Sequence, residues 1–289
     1  MSIRLIPRLD IKGPNLVKGI HLEGLRVLGK PEAFAKYYYE QGADELVFMD
    51  AVASLYGRNH LSDIIERVAS DIFVPLCVGG GLRTIEDIRA VLRAGADKVS
   101  LNTQAIRRPE LITEAANLFG SSTIVVTLEV IQHPNGNYMC FTDNGREETG
   151  VEAFAWAKQA SELGAGEIMI TSVEREGTGK GFDIELCTKI AQAVSIPVIA
   201  HGGAGSGDHV TELARSGHID AICLASVLHY DTIQHLAVSP NDFAREGNTE
   251  FIRKGVQSQR LKPVGIGMLK ASLDAAGIEV RPVPQEMDA

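Results

Sequence analysis

Short apolar runs alternate with amphipathic stretches along the chain, and this alternation predicts eight strand–helix units. Runs such as TIVVTLE (123–129) are rich in β-branched residues and apolar on both faces, as the strands of a buried parallel sheet are. The predicted strands span 4–10, 45–50, 74–79, 98–102, 123–129, 167–172, 197–201 and 220–225. The predicted helices lie near 31–42, 60–70, 84–94, 109–119, 150–163, 183–194, 207–217 and 264–276.

Eight such units, with no break in composition, favour a single (β/α)8 TIM barrel that spans residues 1–289. An open, doubly wound parallel sheet is the structural alternative. The segment 231–263 breaks the rhythm, because it is polar and much longer than a usual βα loop. We expect it to be an atypical insertion after the last strand, either decorative or placed on the face where barrel active sites lie.

The second half of the chain repeats the first at a constant offset, which predicts a barrel made of two half-barrels. QGADELVFMD (41–50) aligns with LGAGEIMITS (163–172), and VPLCVGGG (74–81) aligns with IPVIAHGG (196–203). Chance similarity between two βαβα segments is the alternative. The identities in register are Glu45 with Glu167, Pro75 with Pro197, Gly80 with Gly202, and Gly95 with Gly217.

Composition and charge narrow the class of protein. The net charge of −9, from 28 basic and 37 acidic residues, argues against nucleic acid as a general partner. The four cysteines are widely separated and form no CxxC pair, which indicates a reducing compartment and no metal site. No apolar run approaches the length of a membrane span or a signal core, so we expect a cytoplasmic protein without a membrane partner.

Glycine clusters stand at the ends of two predicted strands that the repeat relates, VGGGL (78–82) and HGGAG (201–205). Such clusters let backbone N–H groups approach an anion closely, although a single cluster also serves simply to turn the chain. The pairs Asn102–Thr103 and Ala225–Ser226 end the strands that follow. Two related clusters predict a ligand with a phosphate at each end, held by Gly80, Gly81, Asn102 and Thr103 on one side and by Gly202, Gly203, Ala225 and Ser226 on the other.

Two carboxylates stand between these clusters, Asp10 at the end of the first strand and Glu129 at the end of the fifth. Carboxylates on opposite sides of a substrate suit general acid–base catalysis, while solvated strand-end acids or helix caps are the alternative. Arg8 precedes Asp10 by two residues and so points to the same side of the strand. It either pairs with Asp10 or binds an anionic group of the substrate.

Four more charged residues stand at the starts of predicted strands, on the opposite face of the barrel. If the barrel closes, two cations and two anions meet at its N-terminal mouth. On chemistry alone this is a stabilising ring of ion pairs that plugs the bottom of the barrel. Its members are Arg4, Glu45, Lys98 and Glu167.

The chain resembles the cyclase subunit family of imidazole glycerol phosphate synthase, from histidine biosynthesis. The matching stretches cover nearly all of 1–230 and resume at about 264–281. They include IPRLDIK, GADELVFMD, VPLCVGGGLRTIEDIRAVLRAGADKVSLNT, ELGAGEIMITSVEREGTGKGFD and PVIAHGGAG.

The resemblance implies a barrel that pairs, at its N-terminal face, with a separate glutaminase subunit. Ammonia would cross the lumen and react with a bis-phosphorylated ribulosyl-formimino-aminoimidazole carboxamide ribonucleotide. The products would be imidazole glycerol phosphate and aminoimidazole carboxamide ribonucleotide, with no cofactor and no metal. None of the four cysteines lies in a glutaminase-like nucleophile elbow, so the ammonia would come from the partner.

The resemblance also assigns roles to residues. Asp10 falls on the first catalytic aspartate, Glu129 on the position of the second, and Lys18 on the lysine of a mobile first loop. The charged ring falls on the family's ammonia entrance. Phosphate-binding positions fall on Gly81, Asn102, Thr103, Gly177, Gly203, Ala225 and Ser226.

This chain departs from the family pattern on the substrate face. Glu129 replaces an aspartate, Arg8 a cysteine and His201 a serine, while Glu174 and Glu176 replace aspartates. Four interpretations remain: the cyclase itself, with Asp10 as general acid and Glu129 as base; a paralogue that delivers ammonia to amidate a sugar in surface polysaccharide synthesis; a non-catalytic barrel that activates a glutaminase; and the related single-chain isomerase.

Overall fold

The computed structural model describes residues 2–53, 61–236 and 260–283, and its central element is a closed parallel barrel. The hydrogen-bonded order of the strands is β1, β4, β5, β6, β7, β10, β11 and β12, and β12 pairs with β1 again. These strands are β1 Arg4–Lys12, β4 Leu46–Asp50, β5 Leu76–Gly79, β6 Lys98–Leu101, β7 Ile124–Gln132, β10 Glu167–Ser172, β11 Val198–His201 and β12 Ala221–Leu224. The predicted (β/α)8 barrel is confirmed.

Helices cover the outside of the barrel between successive strands, and the large apolar core lies between the two layers. The helices of the described residues are α1 Pro31–Glu40, α2 Ser62–Ala69, α3 Ile85–Arg93, α4 Thr103–Arg107, α5 Glu110–Phe119, α6 Ala153–Glu162, α7 Ile184–Ala193, α8 Gly207–Arg215, α9 Ser226–His235 and α10 Ile266–Ala275. None of them is long and apolar enough to cross a membrane.

Helix starts follow local sequence signals. At α3, the Thr84 hydroxyl accepts a hydrogen bond from the Asp87 N–H at 3.2 Å, and the Asp87 carboxylate accepts one from the Thr84 N–H at 2.9 Å. This reciprocal capping box satisfies two donors that a helix start otherwise leaves unpaired. At α7 the Asp183 carboxylate caps the helix by accepting one hydrogen bond, from the Leu186 N–H at 3.0 Å.

Two β-hairpins stand above the C-terminal mouth of the barrel, and the sequence patterns do not predict them. One consists of β2 Asn15–Ile20 and β3 Glu23–Gly29, the other of β8 Tyr138–Thr142 and β9 Glu147–Glu152. β1 and β7 run beyond their predicted ends because they pair with these hairpins, Asp10 opposite Val17 and Glu129 opposite Phe141. Both candidate carboxylates therefore lie where a barrel strand passes into a hairpin.

The predicted insertion at 231–263 is described only at its ends. Residues 231–235 continue α9, so the chain keeps its helical rhythm a little further than the polar composition indicates. Residues 237–259 lie outside the described ranges. The extent of the insertion, and the single domain over 1–289, stay predictions.

Asp44 holds the bottom of the barrel together through a buried cluster. Its carboxylate accepts the Leu5 N–H at 2.8 Å and pairs with Lys270 at 2.8 Å and with Arg281 at 2.8 Å. The side chain of Lys270 is only 3% exposed, and burial lowers its pKa although Asp44 opposes that effect. Asp97 makes the same backbone contact to the Leu76 N–H at 2.9 Å, and no salt bridge to it is found within the described ranges.

We expect Asp44→Ala to lower the free energy of unfolding by about 3–5 kcal/mol, because it leaves a buried lysine unpaired. Asp97→Ala is the matched control and should cost about 1 kcal/mol, the value of one hydrogen bond. Urea denaturation followed by circular dichroism measures both. Equal losses in the two variants would contradict the assigned role of the Lys270 contact.

Candidate active site and charged ring

Inward-facing side chains fill the lumen in layers, because every second residue of a strand points inward. On β1 the successive inward residues are Arg4, Ile6, Arg8 and Asp10. The layers are, from the N-terminal end, a charged ring, an apolar layer, a polar layer and the carboxylates of the mouth. The chemistry of the site therefore changes along the barrel axis.

The charged ring is a closed cycle of four ion pairs at the N-terminal end. Arg4 lies 2.8 Å from Glu45 and 2.7 Å from Glu167. Lys98 lies 2.8 Å from Glu45 and 2.7 Å from Glu167. Each cation thus bridges the same two carboxylates, and the predicted meeting of these four side chains is confirmed by the geometry.

The two glutamates of the ring differ electrostatically. Burial raises the pKa of Glu45, although Lys98 opposes the effect, and its Oε1 atom is buried with no hydrogen-bond partner. Burial alone would also raise the pKa of Glu167, but hydrogen bonds and charge from Arg4 and Lys98 lower it below its ordinary value. Glu45 is therefore the ring member with unsatisfied bonding capacity.

An uncharged layer separates the ring from the polar half of the lumen. Burial raises the pKa of Cys77 well above its ordinary value and that of Cys223 to about 12, so both thiols are neutral. All four cysteines are free and buried, as the sequence predicts. The apolar layer consists of Ile6, Val47, Cys77, Val125, Met169, Ile199, Ala221 and Cys223.

Arg8 crosses the lumen in the polar layer. Its Nε donates to Asp10 Oδ1 at 2.9 Å, which confirms that the two residues pair. Its Nη1 reaches Thr171 Oγ1 at 3.3 Å on β10 and His201 Nδ1 at 3.4 Å on β11. Since β12 lies between β1 and β11, the guanidinium spans a large part of the barrel interior.

His201 is a neutral member of this layer. Burial, reinforced by the charge of Arg8, lowers its pKa well below the ordinary value. A guanidinium only donates hydrogen bonds, so Nδ1 of His201 is the acceptor and the ring proton lies on Nε2. The Thr171 hydroxyl lies 3.3 Å from the same Nδ1 atom. Arg8 thereby selects one tautomer of this histidine.

Asp10 and Glu129 both line one solvent-open cavity at the C-terminal mouth. Burial raises the pKa of Glu129 to about 7, although a hydrogen bond from the Gly145 N–H at 2.8 Å and the charge of Arg8 oppose the shift. Glu129 is 6% exposed and Asp10 is 5% exposed. Both predicted catalytic carboxylates are therefore buried, but their partners differ, because Asp10 pairs with Arg8 and Glu129 accepts a backbone N–H.

The first predicted phosphate cluster lies in the same cavity as the carboxylates. Gly80 and Gly81 adopt φ values of +91° and +71°, which L side chains rarely adopt. A Cβ atom on Gly80 would overlap the carbonyl oxygen of Asp50. The cavity also contains Lys18, Asn102 and Thr103.

The second predicted phosphate cluster forms a separate pocket at the ends of β11 and β12. Gly202 and Gly203 have φ values of +100° and +115°, matching the first cluster, and a Cβ atom on Gly203 would overlap the carbonyl oxygen of Gly181. The structure thus brings together each predicted group. The pocket is lined by Gly177, Gly202, Gly203, Ala225 and Ser226, together with His201 and Glu176.

A buried ion pair joins the first hairpin to the loop after β10. Lys18 pairs with Glu176, both side chains are at most 2% exposed, and Lys18 also donates to the Gly19 carbonyl at 2.8 Å. The other carboxylate oxygen of Glu176 accepts the Leu22 N–H at 2.9 Å. Lys18, which the resemblance places in a mobile loop, lies here in a strand of a packed hairpin between the two clusters.

Sequence reasoning missed the second hairpin as a wall of the site. Asn144 lines the main cavity and donates to the Ala51 carbonyl at 2.9 Å, and Gly145 supplies the hydrogen bond to Glu129. The signal was present in the stretch Asp143–Asn144–Gly145, because such residues favour the positive φ of a tight hairpin turn. Within the described ranges, no cluster of three or more metal-ligating side chains is found.

Comparisons with known proteins agree with this architecture. The family model described as "Histidine biosynthesis protein" matches residues 4–234. Proteins named "Imidazole glycerol phosphate synthase subunit HisF" are similar to the chain. The one from Legionella pneumophila is 54% identical over 204 residues, 71% of this chain and 96% of its own length. Those from Alkaliphilus metalliredigens and Methanococcus vannielii are 44% identical over 230 and 286 residues, or 80% and 92% of this chain and 91% and 100% of their own lengths.

We expect Glu176→Gln to loosen the first hairpin, because it leaves the buried Lys18 ammonium without its counter-charge. Hydrogen exchange should become faster across 15–29, and the free energy of unfolding should fall by about 3 kcal/mol or more. Glu23→Gln is the matched control, since the exposed Glu23–Arg146 pair joins the same hairpin to its neighbour. The free energy of unfolding of that variant should fall by less than about 1 kcal/mol. Equal hydrogen-exchange rates in both variants would contradict the importance of the buried pair.

Proposed function

Because the chain belongs to the family of imidazole glycerol phosphate synthase subunit HisF, we propose that it is the cyclase subunit of this histidine-biosynthesis enzyme. Ammonia from a glutaminase subunit would convert the phosphoribulosyl-formimino-aminoimidazole carboxamide ribonucleotide. The products would be imidazole glycerol phosphate and aminoimidazole carboxamide ribonucleotide. The catalytic pair would be Asp10 and Glu129.

The observation that carries this proposal is the arrangement of two glycine clusters on either side of the two carboxylates. Gly80 and Gly202 hold equivalent positive-φ turns at the ends of β5 and β11, which lie on different sides of the mouth. A substrate with a phosphate in each cluster would place its central part over Asp10 and Glu129. Binding of the two phosphates would thus hold the reacting part of the substrate in a fixed orientation relative to the carboxylates.

The layered lumen supports an ammonia route from the N-terminal face. Neutral ammonia crosses an apolar layer at much lower cost than the ammonium ion, because burying a bare charge is expensive. The ring of Arg4, Glu45, Lys98 and Glu167 stands at the entrance of this route. Ammonia would pass this ring before it meets the apolar layer.

The same face suits the docking of the glutaminase subunit. Phe73, just before β5, is 79% exposed and lies edge-on to Tyr39, with ring centroids 6.2 Å apart. Exposed aromatic side chains are typical of the core of protein interfaces. The N-terminal face therefore combines an apolar contact point with the charged ring.

A paralogue that delivers ammonia to another acceptor is the second candidate. Arg8 favours it, because a guanidinium in the polar layer has replaced the cysteine of the family pattern. Glu129 favours it as well, since its carboxylate lies about one methylene away from where an aspartate would place it. Both changes alter the reacting centre and leave the two clusters and the ring intact.

The purified chain should turn over the ribulosyl substrate with saturating ammonia and no partner. Asp10→Asn and Glu129→Gln should each lower this turnover by about 10²–10⁴-fold, the range for loss of an acid–base group. Glu185→Gln, at an exposed helix pair, is the control and should leave it unchanged. Imidazole glycerol phosphate formation is measured by chromatography with mass spectrometry.

Failure of the wild-type chain to consume this substrate would overturn the cyclase proposal. If it then still stimulated a glutaminase partner, the second candidate would replace it. If the partner were stimulated and Asp10→Asn had no effect with any acceptor, the chain would be a non-catalytic activator.

Lys98→Met should open the charged ring without touching the mouth of the barrel. We expect glutamine-driven turnover in the complex to change by about tenfold, the effect of about 1.4 kcal/mol on one barrier. Turnover with saturating external ammonia should stay at the wild-type rate. Equal changes in both rates would contradict a role of the ring in ammonia entry, and Lys189→Met, which removes an exposed lysine, controls for loss of charge alone.

A further inference from the structure

The two carboxylates of the mouth differ in what stabilises their charge. Asp10 has a guanidinium nitrogen 2.9 Å from its Oδ1 atom. Among the residues that the structure describes, no salt bridge reaches Glu129, whose Oε2 accepts the Gly145 N–H at 2.8 Å. The two carboxylates of the same cavity therefore meet two different electrostatic environments.

Arg8 is held in place from three strands, so it cannot serve both carboxylates equally. Nε is committed to Asp10 on β1, and Nη1 is committed to Thr171 on β10 and His201 on β11. Arg8 itself is only 4% exposed. Although burial opposes its charge, Asp10 raises the pKa of Arg8, and the guanidinium stays ionised.

The groups that face Glu129 from the other elements do not replace this cation. Asn102 is neutral, and Asp143 on the second hairpin raises the pKa of Glu129 further. Asp143 itself is paired with Arg107 at 3.0 Å. Two more cations line the cavity, Arg83 and Lys18, and Lys18 is paired with Glu176. Burial thus outweighs the opposing contributions, and the pKa of Glu129 rises to about 7.

We propose that Arg8 is a positioning residue that divides the acid–base roles, keeping Asp10 as the carboxylate base and leaving Glu129 as the proton donor. This inference rests on the proposed function and reverses the roles expected from the sequence, in which Asp10 is the acid and Glu129 the base. The roles are reversed because the guanidinium of Arg8 lies beside Asp10 and not beside Glu129. Arg8 acts through Asp10 rather than on the substrate.

The assignment gives a balanced proton transfer for imine formation. Ammonia adds to the ketone of the ribulosyl group and forms a carbinolamine. The carbon–oxygen bond then breaks, Glu129 gives its proton to the departing hydroxyl, and water leaves. Asp10 removes one proton from nitrogen, so the carbon–nitrogen double bond forms with no net charge. Solvent returns the proton from Asp10 to Glu129.

The pH dependence follows from the role of Glu129 as an acid. The protonated form is the active one, so turnover at saturating free ammonia falls as pH rises through about 7. If Glu129 were the base, turnover would rise over the same interval. The direction of this limb therefore distinguishes the two assignments.

Carboxyl-carbon NMR titration of the substrate-free protein tests the inference independently of activity. Asp10→Asn and Glu129→Gln assign the two resonances. We expect Glu129 to titrate near pH 7. Arg8→Met should raise the Glu129 midpoint by about one unit, because it removes the nearest cation. Arg8→Lys keeps a cation and should shift it less.

Turnover over the same pH range provides the second readout. In Arg8→Met the pH at which turnover falls should shift to a higher value together with the Glu129 midpoint. If Arg8 had only a structural role, its loss would lower the turnover rate equally at every pH. Arg108→Met, at an exposed ion pair, is the control for loss of one positive charge. Arg8→Met leaves Asp10 buried and unpaired, so this variant is at risk of unfolding. The double variant Arg8→Met/Asp10→Asn removes the unpaired charge and supplies a folded protein in that case. It should also raise the Glu129 midpoint.

An unchanged Glu129 midpoint in folded Arg8→Met, or a wild-type Glu129 that is already fully ionised below pH 7, would overturn the inference. A turnover that rises through this pH would overturn it as well. Absence of any turnover by the wild-type protein would instead overturn the proposed function. The titration would then still decide which carboxylate Arg8 keeps ionised.

Discussion

Closure of the barrel is the constraint on which the rest of the structure depends. An eight-stranded barrel is just wide enough for its inward side chains, so a charge that points inward finds its partner within the lumen or pays a large desolvation cost. β1 carries two inward arginines, and each has a carboxylate in reach, Arg4 in the ring and Arg8 at Asp10. The apolar layer between them keeps the two charged groups apart. One strand thus connects two chemically distinct ends of the molecule.

The barrel could be predicted from the sequence because parallel strands are buried on both faces and leave continuous apolar runs. β10 has the predicted bounds, 167–172, and most other strands deviate from theirs by a residue or two. The second hairpin was missed for the opposite reason, since β9 is polar and none of its residues is fully buried. Only the turn residues at 143–145 indicated that the chain reverses there.

The site could be predicted only as far as topology determines it. Carboxyl ends of parallel strands meet at one mouth, so glycine clusters and acids at strand ends had to converge there. Charge states depend instead on contacts between distant parts of the chain. Lys18 and Glu176 meet across 158 positions, and the hydrogen bond to Glu129 comes from a hairpin turn that the patterns do not show. For that reason Asp10 and Glu129 look alike in the sequence and differ in the structure.

In the proposed cyclase, Arg8 connects the ammonia route with the chemistry at its end. A fixed guanidinium above an apolar layer disfavours ammonium ion twice, through desolvation below and through like charge at the exit. On the proposed route ammonia would therefore arrive as the neutral nucleophile, which attacks a ketone without first losing a proton. The step that then needs help is the departure of the hydroxyl, and this step requires an acid that is still protonated near neutrality. Glu129, buried and without a cation of its own, meets that requirement because Arg8 has paired with Asp10.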